Sequence, residues 1–149
     1  MFQYNNYNNK YNTIIEYAEQ LEYNKDYYNC YQLYIKALEY AFDDQKKYCV
    51  DKIFLLIIEY AKQLQHNRDY WFSYEEYIKA LTYISEEQEI LDTNQLSKQN
   101  IIEQSFDILK MYIKELEDRC NEHDVLEFIN IVKEFTLDSF TKEILTSIK

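Results

Sequence analysis

The sequence IIEYAEQLEYNKDYYNCYQLYIKALEYA (residues 14–41) carries the clearest structural signal in the chain. It returns 43 residues later as IIEYAKQLQHNRDYWFSYEEYIKALTYI (residues 57–84), with 17 of 28 aligned positions identical and no gap. An internal repeat of this length is typical of helical arrays, in which each unit buries its apolar face by stacking on a neighbour. The sequence therefore predicts two equivalent structural units.

Each copy has the pattern of two helices joined by a polar turn. In the first copy Ile14, Ala18 and Leu21 recur at helical spacing, and Asn24 then breaks the pattern. Asp26 is a good N-cap for the second helix. The apolar stripe of that second helix consists of Tyr27, Cys30, Tyr31, Tyr34, Ala37 and Leu38.

Small residues recur where the paired helices would touch. These are Ala18, Cys30 and Ala37 in the first copy, matched by Ala61, Ser73 and Ala80 in the second. Their spacing, with Tyr34 and Tyr77 filling the space beside them, is similar to the tetratricopeptide repeat (TPR) signature. The period of 43 residues exceeds the roughly 34 of a plain TPR, so the helices should be longer.

The remaining chain also favours helices. Glycine and proline are both absent, which disfavours tight hairpins and excludes glycine-rich phosphate loops. We expect an all-α, TPR-like α-solenoid of about seven helices. Its parts are a disordered Asn/Tyr-rich tail over 1–12, one helical domain over 13–149, a loop at Glu86–Leu96, and a C-terminal helical cap over 98–149 with helices at Lys98–Cys120, Asp124–Phe135 and Leu137–Ile148.

Charge and cysteine content restrict the partners and the compartment. The net charge of −11 opposes binding to nucleic acid and to anionic membrane surfaces. The longest apolar run, Ile53–Ile58, is far too short to cross a membrane. Three widely spaced cysteines are typical of reduced thiols, so we expect a cytoplasmic protein.

Few residues suggest chemistry. Cys120 and His123 have half of a zinc-site spacing, but no second Cys/His pair completes four ligands. Neighbouring carboxylates, among them Glu75 and Glu76, are expected to be solvated rather than to form an acid–base pair. The sequence therefore predicts no enzyme activity, no metal and no cofactor.

The C-terminal part resembles the soluble NSF attachment proteins (SNAPs). The segment Ile113–Phe135 (IKELEDRCNEHDVLEFINIVKEF) is similar to the family's stretch that ends in Val-Lys-Glu-aromatic, and LDSFTKEILTSIK (137–149) is similar to its Leu-Asp-x-Trp ending. The resemblance implies an adaptor in vesicle trafficking that binds a SNARE-like helical bundle and an NSF-type ATPase. By position, Asp118 and Glu122 would contact the ATPase. Any membrane association would be peripheral, through these partners.

By analogy with TPR grooves, the first helix of each hairpin should line the partner-binding groove. The positions expected there are Glu19, Glu22, Tyr23, Lys62, Gln65 and His66. Two alternatives remain open. Residues 50–118 also resemble the MIT (microtubule-interacting and transport) module, a three-helix bundle that binds short helices, and the chain could equally be a structural subunit of a larger assembly.

Overall fold

A computed structural model of the chain describes residues 2–83, 98–119 and 122–135. Its elements, in order, are α1 (Phe2–Tyr23), α2 (Tyr27–Ala37), a short 3₁₀ helix (Leu38–Tyr40), α3 (Asp43–His66), α4 (Tyr70–Leu81), α5 (Lys98–Arg119) and α6 (Glu122–Phe135). No strand occurs in these ranges, which confirms the all-α prediction. The loop expected at 86–96 and the helix expected at 137–148 lie outside the described residues.

The N-terminal segment differs from the prediction of a disordered tail, because residues 2–12 form the first half of α1. Tyrosines at helical spacing give this segment an apolar face. Tyr11 is buried, and its hydroxyl lies 3.8 Å from the Sγ of Cys49 on α3. The ring of Tyr7 packs edge-on against Tyr40, with 5.6 Å between the centroids. Tertiary packing therefore outweighs the low helix propensity of the asparagines around them.

The turns of the two hairpins have the same backbone conformation. The left-handed residue is Lys25 in the first turn (φ 61°) and Arg68 in the second (φ 65°), each one residue after the asparagine that breaks the pattern. The predicted caps, Asp26 and Asp69, immediately precede α2 and α4. The side chain of Asp26 accepts a hydrogen bond from the backbone of Asn29, but the side chain of Asp69 makes no such capping bond.

The small residues lie at the helix–helix contacts, as predicted. Ala18, Ala37, Ala61 and Ala80 are all fully buried. Within each hairpin the second helix also donates to a carbonyl of the first. These contacts run from the Cys30 thiol to the Ala18 oxygen (3.0 Å) and from the Ser73 hydroxyl to the Ala61 oxygen (2.7 Å). The two copies are thus equivalent hairpins in three dimensions.

The helices pack mainly in chain order, from α1 against α2 through α4 against α5. In the described part of the chain, α4 packs along both α3 and α5, and α3 and α5 have no comparable contact with each other. The three-helix closure expected of an MIT-like bundle over residues 50–118 is therefore not observed. Contacts between helices that follow one another in the chain are those expected of a helical array.

Candidate functional site

Helix α5 takes the place of the first helix in a third unit. An aromatic ring on the second helix of each hairpin contacts a tyrosine one turn along and another on the following helix: Tyr28 with Tyr31 and Tyr60, then Trp71 with Tyr74 and Tyr112. Ring centroids are 5.4 Å apart in both contacts of the first set, and 5.5 and 5.7 Å apart in the second. The junction between α2 and α3 is thus repeated between α4 and α5.

Helices α1, α3 and α5, the first helices of the three units, each present a row of four exposed side chains at the same spacing. The rows are Asn12, Glu16, Glu19 and Tyr23 on α1; Leu55, Glu59, Lys62 and His66 on α3; and Asp107, Met111, Lys114 and Asp118 on α5. Steps of four, three and four residues keep each row on one helix face. We call these twelve residues the row surface.

The rows of α1 and α3 meet at an open cleft of about 320 Å³. Tyr23 stands at its edge with 88 % of its surface exposed, and Leu55 is 43 % exposed. Below them the Nζ of Lys52 lies 3.0 Å from the carboxylate of Glu22, which ties α3 to α1. The cleft therefore combines an exposed aromatic ring, an exposed aliphatic side chain and an internally neutralised ion pair.

A second cleft, shallow and wide open to solvent, lies on α1 itself and shares the Tyr23 ring. Its other lining residues are Glu16, Glu19, Gln20 and Asn24. Among the described residues, neither Glu16 nor Glu19 forms an ion pair. The Tyr23 ring thus divides a cleft with apolar side chains from one with unneutralised carboxylates.

The predicted groove residues are brought together only in part. Glu19, Glu22 and Tyr23 line these two adjoining clefts. Lys62 is exposed on α3, with its Nζ 3.7 Å from Glu59. His66 is also exposed, and Gln65 is half-buried in the last turn of α3.

The proposed contact residues Asp118 and Glu122 are both exposed. Asp118 lies in the last turn of α5, and Glu122 is the first described residue of α6. Asp118 lines a cleft with Arg68 of the α3–α4 turn and with the Arg119–Glu115 ion pair (2.8 Å). Asp118 is also the last residue of the α5 row.

Glu76 is buried, contrary to the expectation of a solvated carboxylate. Its carboxylate accepts from the Tyr31 hydroxyl at 3.0 Å and from the Lys79 Nζ at 2.9 Å. Burial raises the pKa of Tyr31 to about 12, although the bond from Lys79 opposes the shift. Burial alone would lower the pKa of Lys79, but its bonds to Glu76 and Tyr31 raise it. This network joins α2 to α4 and holds the two hairpins in register.

Cys30 and Cys49 are both buried in the core. Burial raises the pKa of the Cys30 thiol to about 12 and also raises that of Cys49, which keeps both thiols protonated near neutral pH. His123 is exposed at the start of α6, and its predicted neighbour Cys120 lies outside the described residues. Within the described ranges, no three His, Cys, Asp or Glu side chains are placed to hold a metal ion.

None of the described helices is both long and apolar enough to span a membrane. Comparisons of the whole chain with protein-family models, curated proteins and solved structures gave no match.

Proposed function

We propose that the chain is a non-enzymatic adaptor that binds a helical segment of a partner protein on the row surface. The observation that supports this most directly is the repetition of four exposed residues at one spacing on α1, α3 and α5. Rigid helices with repeated exposed faces offer an extended surface at little entropic cost of ordering. The cleft between Tyr23 and Leu55 would take the anchoring side chain of the partner.

More specifically, we propose a SNAP-like role, in which the row surface binds a SNARE-type helical bundle and the acidic end binds an NSF-type ATPase. This rests on the resemblance of Ile113–Phe135 to the family, and on the acidic residues Asp118 and Glu122 at the α5–α6 junction. Both residues are exposed and would contact a basic surface on that partner.

The adaptor role can be tested by NMR titration of the labelled chain with a recombinant SNARE-type four-helix bundle. We expect chemical-shift changes in the row surface, centred on Tyr23 and Leu55. The exposed side chains of Glu39 and Glu75, which lie outside the rows, serve as internal references. If chemical shifts change only at residues outside the rows, the binding site lies elsewhere. If no chemical shift changes, the SNARE-type partner is rejected.

The ATPase contact needs a separate titration, with an NSF-type N-terminal domain. The single variants Asp118→Lys and Glu122→Lys should each slow association, and the effect should shrink with added salt because exposed charges are screened. Equal binding by wild type and both variants would remove these residues from the contact. Failure of the wild type to bind would remove the NSF-linked role while leaving the row surface untouched.

A further inference from the structure

The two clefts beside Tyr23 differ in chemistry, and this difference indicates what they would bind. On one side are Leu55 and the buried Leu56, next to the Glu22–Lys52 ion pair, with the exposed Lys25 and Glu59 at the rim. On the other side are Glu16 and Glu19, which have no counterion among the described residues. One exposed aromatic ring borders both.

Resting on the proposed function, we propose that the segment bound here is a basic amphipathic helix. An apolar side chain of that helix fills the Tyr23–Leu55 cleft. A lysine or arginine one turn away lies against the Tyr23 ring and pairs with Glu16 and Glu19. An exposed tyrosine ring attracts a cation, and adjacent carboxylates add charge complementarity.

Charge complementarity selects this occupant over the alternatives. The row surface carries five carboxylates (Glu16, Glu19, Glu59, Asp107 and Asp118) against two lysines (Lys62 and Lys114). The chain as a whole has a net charge of −11, so a second copy would bring like charge onto an acidic surface. A basic segment is instead attracted by the carboxylates of the row surface and by the net negative charge of the whole chain, which also speeds its association.

The spacing on α1 fits a helical ligand. Glu16, Glu19 and Tyr23 follow one another along one face of a helix, with Gln20 between them in the same cleft. A partner helix laid along this face would present its anchor and its cation from successive turns. The cation and the apolar anchor are thus required together, which distinguishes this ligand from a merely basic peptide.

The test uses a displayed library of helical peptides with one fixed leucine anchor and randomised positions one turn to either side, selected on the full-length chain. Enriched peptides should carry lysine or arginine at a randomised position. Each should bind the double variant Glu16→Gln/Glu19→Gln about tenfold more weakly at low salt, as expected for two partly exposed ion pairs. That loss should diminish at high salt. The variant Tyr23→Phe should retain binding, and Tyr23→Ala should lose most of it.

The matched control is Glu39→Gln/Glu75→Gln, which removes the same charge from exposed positions outside the row surface. It should change binding less than twofold. Enriched peptides that are neutral or acidic, or basic peptides that bind the Glu16/Glu19 variant as well as wild type, would overturn the basic ligand but leave the proposed adaptor surface in place. If no peptide is enriched at all, the row surface fails as a helix-binding site and the proposed function fails with it.

Discussion

In the first hairpin the second helix donates the Cys30 thiol to the Ala18 carbonyl, and in the second hairpin the Ser73 hydroxyl donates to the Ala61 carbonyl. The same contact is thus made with different atoms. Between hairpins the aromatic junctions repeat, but the contact of Glu76 with the preceding hairpin does not. Glu76 reaches back from α4 to Tyr31 of α2, whereas Leu33, which occupies the equivalent place in the first hairpin, is half-buried.

The difference shows which part of the repeat is fixed by its own geometry. Helix pairing within a hairpin requires small groups at one position, and either cysteine or serine satisfies it. The surface between hairpins depends on what lies opposite. Leu33 is apolar and half-buried, whereas Glu76 faces a tyrosine hydroxyl that donates a hydrogen bond to its carboxylate.

Alkaline pH should have the largest effect, because it acts on both hairpins. Burial raises the pKa of Tyr31 and of Tyr77 to about 12, against roughly 10 for an unfolded chain. Between these values the unfolded chain loses protons that the folded chain keeps. The two tyrosines therefore contribute their full stabilisation below about pH 10. As the pH rises toward 12, the free energy of unfolding falls by on the order of 2 kcal/mol for each tyrosine.

Far-UV circular dichroism and tyrosinate absorbance recorded on the same samples would check this. Loss of helix should accompany ionisation of the buried tyrosines. Tyr77→Phe should move the alkaline transition to higher pH, and the exposed control Tyr17→Phe should leave it in place. Full tyrosinate formation in a chain that is still helical would contradict the burial of these rings.

A larger side chain at the buried alanines tests how closely the helices pack in each hairpin. Ala37 and Ala80 occupy equivalent positions and are both fully buried. Replacing either one with leucine should cost about 1–3 kcal/mol, because the adjoining helices must separate or adopt strained rotamers. Thermal melting of the two variants would measure it. Melting of Ala80→Leu at the wild-type temperature would show that the second hairpin is packed more loosely than the first.

The equivalent residues Lys79 and Lys36 allow the contribution of a lysine to stability to be compared between the two hairpins. Lys79→Met leaves the Glu76 carboxylate, whose side chain is only 10 % exposed, without its ammonium partner. The cost should be about 1–2 kcal/mol, below that of a fully buried pair because Lys79 is itself 42 % exposed. The equivalent change Lys36→Met should stay within about 0.5 kcal/mol. Urea unfolding would separate them, and a further Glu76→Leu change should restore most of the loss.

An exchange of the donor atoms tests the equivalence directly. Cys30→Ser and Ser73→Cys each install the side chain that the other hairpin already uses. Each should change the free energy of unfolding by less than about 1 kcal/mol, since the hydrogen bond is retained and the volume differs by little. A much larger loss at one site, measured by urea unfolding, would mean that the two contacts differ in shape.

The smallest effect is expected at the turns. Lys25 and Arg68 have left-handed backbones, which residues with a Cβ adopt at a cost. Lys25→Gly and Arg68→Gly should each stabilise the chain by about 0.5 kcal/mol, because part of the gain is offset by the greater freedom of glycine in the unfolded chain. Unequal responses in thermal melting would show that one turn is held by contacts that the other lacks.

Much of the fold could be predicted from the repeat itself. The alignment of 28 positions, 17 of them identical, predicted both hairpins, the side-chain cap at Asp26 and the buried alanines. Two features could not be found in this way. An alignment at a shift of 43 residues does not reveal the third unit, because Tyr112 follows its counterpart Tyr60 by 52 residues. The first half of α1 was hidden by asparagines, and only the spacing of Tyr7 and Tyr11 indicates its packing.

The candidate site was predicted less completely. Analogy with TPR grooves identified Tyr23 and Glu19, because both lie near the end of a first helix. It did not identify Leu55, whose place opposite Tyr23 depends on how α3 crosses α1. Glu76 was missed for the same reason, since its donor Tyr31 is 45 residues away and no local pattern connects them.

The chain-order packing of the helices has a mechanical consequence. In the described part of the molecule, most of each helix's contact surface is shared with the helices next to it in sequence. A pulling force would therefore load the junctions one after another rather than all at once. Such a molecule would lengthen elastically by small changes at each junction. The molecule would be stiffest where the Glu76 network and the Glu22–Lys52 ion pair connect the first two hairpins.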